Sequence, residues 1–385
     1  MKVLILHSRY LGAVSGENQV VESEARLLRE AGHDVRVWEP RPRSTAGMGL
    51  LQTGLDAIWS RSAARRVRAL TEADQPDVVH VHNLFPSLSP AVIRVARAGG
   101  AAVVMTLHNY RLLCLPATLV RNGASCELCV GRFPLPGIRY RCYRGSLPGS
   151  AALAFSLGLH RATKTFGLVD RFLAVSEFVR AKHVEGGLPE ESVVVKPHFS
   201  WPSPRRTGPG DYFLFLGRLA REKGLASILG SWRRVASPLV VVGEGPELER
   251  LRALAPPGVE FRGPVPPEDV SALVSGARAI LVPSLWQEPA GRILLEAFSA
   301  GVPVLASEVG GMAETVQHDV SGLLLPPGDA VAWEHAILRL GSDADSERLG
   351  AGAWTQWRER HGPDQGLKDL EHAYRSAIRS RRAIR

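Results

Sequence analysis

Two glutamates frame the segment of this chain that is richest in chemistry. Glu288 and Glu296 stand with seven residues between them in Pro283-Ser284-Leu285-Trp286-Gln287-Glu288-Pro289-Ala290-Gly291-Arg292-Ile293-Leu294-Leu295-Glu296. An apolar run ends at Val282, so the segment reads as strand, loop and helix. Pro289 is expected at the first helical position, where its missing N–H is one of the orphan donors anyway. A helix starting there aims its free amides and positive dipole end at the crevice above the strand ends, an arrangement that binds phosphate. Gly291 has no Cβ to obstruct close approach, and Glu296, two turns on, can accept hydrogen bonds from sugar hydroxyls. A carboxylate such as Glu288 beside phosphates is costly, so it calls for a ligand that also carries hydroxyls. Arg218 and Lys223, on a loop bounded by Gly217 and Gly224, are two cations suited to two phosphates.

The N-terminal half offers histidines, a glycine-rich turn and cysteines. His108 follows the run Ala102–Leu107 and so sits at a strand end, at a crevice mouth. His80 and His82 alternate along Asp77–His82, so one of them faces a crevice, and His82 reads as structural. Leu11-Gly12-Ala13-Val14-Ser15-Gly16-Glu17-Asn18 is a turn that admits phosphate or sugar close to backbone amides, although the three-glycine dinucleotide spacing is absent. All four cysteines, Cys114, Cys126, Cys129 and Cys142, fall within 29 positions, with Cys126-x-x-Cys129 framed by the other two. That pattern fits tetrahedral thiolate coordination of a structural zinc; free buried thiols and redox or disulfide chemistry are the alternatives. The segment is rich in loop formers and has no core of its own, so it needs a staple. Ser176 reads either as a helix N-cap or as an acceptor-side strand-end residue.

These residues need a scaffold that brings strand ends together. Short apolar runs alternate with amphipathic stretches, the pattern of parallel sheets buried on both faces. The predicted strands are Val3–Leu6, Asp34–Trp38, Asp77–His82, Ala102–Leu107 and Arg171–Val175, then Tyr212–Leu216, Leu239–Val242, Val259–Phe261, Ala279–Val282, Val304–Ala306 and Gly322–Leu325. The first helix is predicted at Glu17–Ala31, with Val20, Val21, Leu27 and Leu28 as its apolar stripe. Two α/β domains are expected over 1–197 and 211–362, joined by a Pro- and Gly-rich linker at 198–210. An insertion spans about 111–150, and a basic helix over 363–385 closes the chain. With 385 residues, 45% hydrophobic and 22% charged, the chain is too long for one ordinary core and is neither disordered nor membrane-spanning. The net charge of +9 allows phosphorylated ligands or an anionic membrane surface. No nucleic-acid partner is expected, because only 139–144 interleaves basic and aromatic residues. Four cysteines and no signal peptide point to a reducing cytosol, with peripheral contact at the inner membrane face as an extension.

Glu288 and Glu296 in Pro-Ser-x-x-x-Glu-Pro-x-Gly resemble the E-x7-E motif of retaining glycosyltransferase family 4, of the GT-B fold. Leu216-Gly217-Arg218 followed by Lys223-Gly224 is similar to the family's Gly-Arg-x-x-x-x-Lys-Gly element, which grips the donor diphosphate. The loops at Gly243 and Gly263 resemble those flanking the nucleobase. The resemblance implies two Rossmann-like domains facing across a cleft, with the C-terminal helix crossing back to the first domain. It also implies a nucleoside-diphosphate sugar donor and transfer with retention. Glu288 would contact the donor sugar, Glu296 the ribose, and Gly12 and Gly16 the sugar and diphosphate. His108 would sit near the transferred sugar, although Asn109 replaces the Asp usual in the family. With no Asp-x-Asp at a strand end, no catalytic metal is expected. The acceptor is left open as a glycan, a lipid-linked sugar or a small molecule. A nucleotide-sugar-binding protein with weak catalysis and a GT-B epimerase or phosphorylase remain the alternatives.

Overall fold

The computed structural model describes residues 1–9, 16–40 and 48–383. Gly12 lies outside the described residues. Packing divides the chain into two units, one of residues 1–121, 126–197 and 367–385, the other of residues 122–125 and 198–366. Residues 196–211 carry no helix or strand, as their prolines and glycines dictate.

In the first unit the chain runs β1 (Lys2–Leu6), α1 (Gly16–Glu30), β2 (Asp34–Trp38), α2 (Met48–Trp59), α3 (Arg61–Asp74), β3 (Val78–Val81), α4 (Ala91–Ala98) and β4 (Ala102–Leu107). It then passes short strands β5 (Val120–Arg121) and β6 (Ala124–Ser125, which belongs to the second unit), α5 (Leu135–Arg139) and α6 (Leu147–Ala162), and completes the sheet with β7 (Arg171–Ala174), α7 (Glu177–Glu185) and β8 (Val193–Val195). The sheet is parallel, in order β2-β1-β3-β4-β7-β8. β3 and β4 are buried along their whole length, which is why they read as unbroken apolar runs. β8 was not foreseen: three valines after Glu190-Glu191-Ser192 are too short a run to register by periodicity. Ser176 caps α7, its Oγ accepting from the Val179 amide at 3.2 Å.

The second unit contains β9 (Tyr212–Leu216), β10 (Leu239–Val242), α8 (Leu248–Leu254), β11 (Val259–Gly263), α9 (Pro267–Ser275), β12 (Ala277–Val282), α10 (Arg292–Ser299), β13 (Val304–Ser307), α11 (Met312–Thr315), β14 (Gly322–Leu325), α12 (Ala330–Arg339) and α13 (Asp343–Arg360). Its parallel order is β11-β10-β9-β12-β13-β14. The order reverses between β9 and β12, and a sheet of this type opens a crevice outside the carboxyl ends at that point. Two apolar layers cover the sheet: one is built on Phe213, Trp232 and Trp333, the other on Leu214, Phe298 and Trp357.

The last helix, α14 (Pro363–Ala383), packs on the first unit from Leu367 onward. Its Tyr374 is fully buried and hydrogen-bonds His80 Nδ1 at 2.8 Å, and Glu371 accepts from His33 at 2.9 Å. No helix among the described residues is long and apolar enough to cross a membrane.

Candidate active site

The loops that leave β9 and β12 at the switch point carry the cations and the first glutamate. Arg221–Lys223 forms a single 3₁₀ turn, and Gly224 reverses the chain with φ +71°. A Cβ there would stand 1.8 Å from the Pro283 carbonyl oxygen, so only glycine lets the two loops touch. The Leu285 amide then donates to the Glu222 carbonyl at 2.8 Å, stitching one loop to the other. Their contact brings Lys223 Nζ to 2.5 Å from Glu288 Oε1, which also accepts from Ser284 Oγ at 2.8 Å and Trp286 Nε1 at 2.9 Å. Glu288 is buried, and three donors on one oxygen hold its carboxylate in place. Arg218 is exposed and ion-paired with Glu222 on its own loop.

Three sequence expectations change here. The helix after β12 begins at Arg292, with Gly291 as its N-cap, not at Pro289. Residues 287–290 are held as a loop: the Gly311 amide donates to the Glu288 carbonyl at 2.8 Å, and the Gly310 amide donates to Gln287 Oε1 at 2.8 Å. Pro289 and Ala290 therefore supply no helix-terminal amides. The space beside Gly291 is also not open to a ligand, since a Cβ there would meet Leu294 Cδ1 at 1.8 Å. The Leu294 side chain fills that space. Glu296 lies on α10, where Arg292 donates to it at 3.0 Å, so its carboxylate is paired along the helix. Gln287 and the Gly310-Gly311 turn after β13 were missed. Adjacent glycines just beyond an apolar run were the available signal.

Gly243, at the end of β10, has φ +132°, and a Cβ would stand 2.0 Å from the Gly217 carbonyl oxygen. The β9 and β10 loops thus meet backbone to backbone. Gly263 ends β11 with open space where its side chain would be. The one Asp-x-Asp of the second unit, Asp343-x-Asp345, starts α13, and both carboxylates are ion-paired with arginines.

In the first unit, His108 leaves the end of β4 and its Nε2 lies 2.9 Å from His82 Nδ1 at the end of β3, the rings stacked. A cavity at these strand ends is lined by His82, Asn83, Phe85, His108, Asn109 and Arg111, among others. Burial pushes the His108 imidazole down to about 3, and nearby His7 and Lys196 add to it. His82 is lowered well below the usual range, again chiefly by burial. Both rings are neutral near pH 7, so one donates to the other. Asn109, in place of a carboxylate, donates from Nδ2 to Glu17 Oε1 at 2.5 Å. Burial raises the Glu17 carboxyl, with the Asn109 hydrogen bond opposing it. Gly16 opens α1 and so places Glu17 in the first turn.

Behind this pair lies a network that the sequence reading did not anticipate. Glu24 sits on the buried stripe of α1 and is paired with Lys196 just past β8, both fully buried. The other carboxylate oxygen is 3.6 Å from His82 Nε2 and 3.9 Å from His80 Nδ1. Glu24, His80 and His82 are the one set of three metal-capable atoms within 4.8 Å among the described residues. They do not suit a metal ion. The Lys196 ammonium already occupies the carboxylate, and His80 is engaged at both nitrogens, by Tyr374 at 2.8 Å and Thr106 at 2.7 Å. The signal was a charged residue at position 24 of the stripe Val20-Val21-Glu24-Leu27-Leu28.

Cys114 and Cys129 are buried, Cys126 and Cys142 half-buried, and all four are free.

Comparison with known proteins agrees with this architecture. Residues 14–199 match the family described as Glycosyltransferase Family 4, and residues 210–343 match Glycosyl transferases group 1. The chain is 32% identical over 348 residues to the D-inositol 3-phosphate glycosyltransferase of Acidothermus cellulolyticus, covering 83% of this chain and 72% of that protein. It is 28% identical over 370 residues to the 2-deoxystreptamine N-acetyl-D-glucosaminyltransferase of Streptomyces fradiae, covering 88% and 80%. Among solved structures, Anabaena HepE in complex with UDP superposes with a TM-score of 0.65 at 17% identity over 97% of this chain and 99% of that one. Sucrose-phosphate synthase from Thermosynechococcus elongatus gives 0.68 at 16% identity over 97% and 98%. Two Rossmann-like sheets of this order, with matches of this extent, place the chain among the glycosyltransferases that join a family 4 domain to a group 1 domain in the GT-B fold.

Proposed function

We propose that this glycosyltransferase takes its glycosyl group from a nucleoside-diphosphate sugar and transfers it with retention of anomeric configuration. The observation that carries the reading is the Lys223–Glu288 contact at the β9/β12 switch point. A cation for phosphate and an acceptor for sugar hydroxyls are held there side by side. Lys223 and Arg218 would neutralise the leaving diphosphate, and Glu288 would fix the donor sugar through its hydroxyls. In the retaining scheme the departing phosphate oxygen takes the proton of the attacking acceptor hydroxyl on the same face, so no protein nucleophile is required. The names of the two relatives above specify an inositol phosphate and 2-deoxystreptamine, which supports a polyhydroxylated ring as the acceptor class.

UDP-, GDP- and ADP-sugars can be screened by thermal denaturation. A donor at 100 times its Kd adds about 2.7 kcal/mol, or roughly 5–11 °C for a domain of this size. NMR of the product then reads the anomeric configuration. The Glu288→Gln variant should bind the donor yet lose at least about 100-fold in kcat, the scale of one well-placed electrostatic group. An inverted product, or a variant retaining more than a tenth of the activity, would overturn this reading.

A further inference from the structure

The four cysteines belong to neither the switch-point loops nor the histidine pair, yet the fold gathers them. Cys129 lies within electrostatic reach of Cys114, Cys126 and Cys142. The backbone of 117–119 lies beside Cys114 Sγ, and Gly137 lies beside Cys129 Sγ. Two of these residues also tie in the remaining cysteines through their carbonyls. Leu119 accepts from the Cys126 amide at 2.7 Å, and Gly137 from the Cys142 amide at 2.9 Å. Leu119 therefore couples Cys114 to Cys126, and Gly137 couples Cys129 to Cys142.

The backbone that achieves this is costly without a ligand. Ala117, Leu119 and Arg141 adopt φ of 67°, 53° and 50°, left-handed values that disfavour side chains. Apolar burial anchors only part of the segment: Leu115, Leu119 and Val130 are buried, but Leu128, Phe133, Leu135 and Tyr140 are exposed.

We propose that Cys114, Cys126, Cys129 and Cys142 bind one structural zinc ion that staples this segment to the first unit. Among the described residues no three of these sulfurs lie within 4.8 Å of one another. Tetrahedral coordination with bonds of about 2.3 Å needs sulfurs about 3.8 Å apart. A staggered χ1 rotation carries each Sγ about 2–3 Å, so binding the ion calls for rotamer changes at the cysteines. Binding converts four thiols to thiolates and releases four protons to solvent, and the ion keeps its charge of +2 throughout. A set of four sulfurs is soft and leaves no open position, which selects zinc and a structural role over catalysis. The staple fixes the loop that carries Arg111 and Leu112 to the cavity beside His108.

The test uses the full-length protein purified without an affinity metal. Metal analysis should find about one zinc per chain, released by a mercurial thiol reagent together with four titratable thiols. After unfolding and refolding with Co²⁺ in place of Zn²⁺, the intense visible absorption of tetrahedral cobalt thiolate should appear. It should weaken or shift in each single Cys→Ser variant that remains folded. Fewer than about half an equivalent of zinc with four freely reactive thiols, two disulfides under non-reducing conditions, or octahedral cobalt spectra would each overturn the proposal. Metal content and spectrum are read without donor or acceptor, so this result stands or falls separately from the glycosyl-transfer reading.

Discussion

Replacing Lys196 with methionine tests the physical account of the first unit most directly. The Lys196 ammonium is the ion-pair partner of Glu24, and the two side chains are 2% and 0% exposed. Methionine preserves most of the stem volume, so little cavity cost arises. What remains is a carboxylate in the core with His82 at 3.6 Å and His80 at 3.9 Å, and His80 is already engaged on both nitrogens. Removing one partner of a buried pair costs about 3–5 kcal/mol. With about 2–4 °C per kcal/mol for a domain of 150–250 residues, the first unit should melt roughly 6–20 °C lower. The Glu24→Met, Lys196→Met double variant removes both charges and should recover at least about 2 kcal/mol relative to the single change. Circular-dichroism melts read both effects. A loss under about 3 °C, or a double variant no more stable than the single one, would refute the reasoning.

Acidification should destabilise the first unit as well. His108 and His183 are held down to about 3 and about 4, chiefly by burial, so the unfolded chain takes up protons that the folded one refuses. Their stability contribution is present above the unfolded value of about 6.5 and is lost as pH falls below it. Each costs about 1.4 kcal/mol between pH 7.5 and 5.5, on the order of 3 kcal/mol together, and a melting temperature that stays flat over that range would contradict this. Gly224→Ala forces φ +71° on a side chain and drives a Cβ into the Pro283 carbonyl; it should cost at least about 1–2 kcal/mol and weaken donor binding in a thermal-shift titration by moving Lys223 away from Glu288. His108→Gln should leave the melting temperature within a few degrees. It should lower kcat/KM about 10- to 100-fold, the worth of one hydrogen bond to the transferred sugar, and unchanged kinetics would remove His108 from the site.

Much of the fold was legible because buried parallel strands leave an unmistakable trace. The apolar runs Val3–Leu6, Ala102–Met105, Tyr212–Leu216, Leu239–Val242 and Ala279–Val282 all became strands, whereas the equally apolar Ala151–Phe155 lies in α6. The short Val193–Val195 did not stand out, because three residues carry no period. The motif residues were legible for a related reason: glycines and charges just beyond a strand end are out of place in a core and so call for a ligand or a turn. Which of those glycines serves packing was not legible. Gly291 and Gly243 answer to Leu294 and Gly217, contacts that depend on neighbours distant in sequence or on a loop course that periodicity does not describe.

The amino-acid sequence by itself determined the two α/β units, the strand-to-loop positions of Arg218, Lys223, Glu288 and His108, and the clustering of the cysteines. Each of these is a local property of hydrophobic period and residue type. Tertiary structure alone decided that α10 starts after Gly291, because Gly310 and Gly311 hold the preceding loop from another strand end. It likewise decided that Glu24 meets Lys196 172 residues away and that His82 braces His108. Pairings of this kind depend on sheet order and helix placement, and a one-dimensional pattern carries neither.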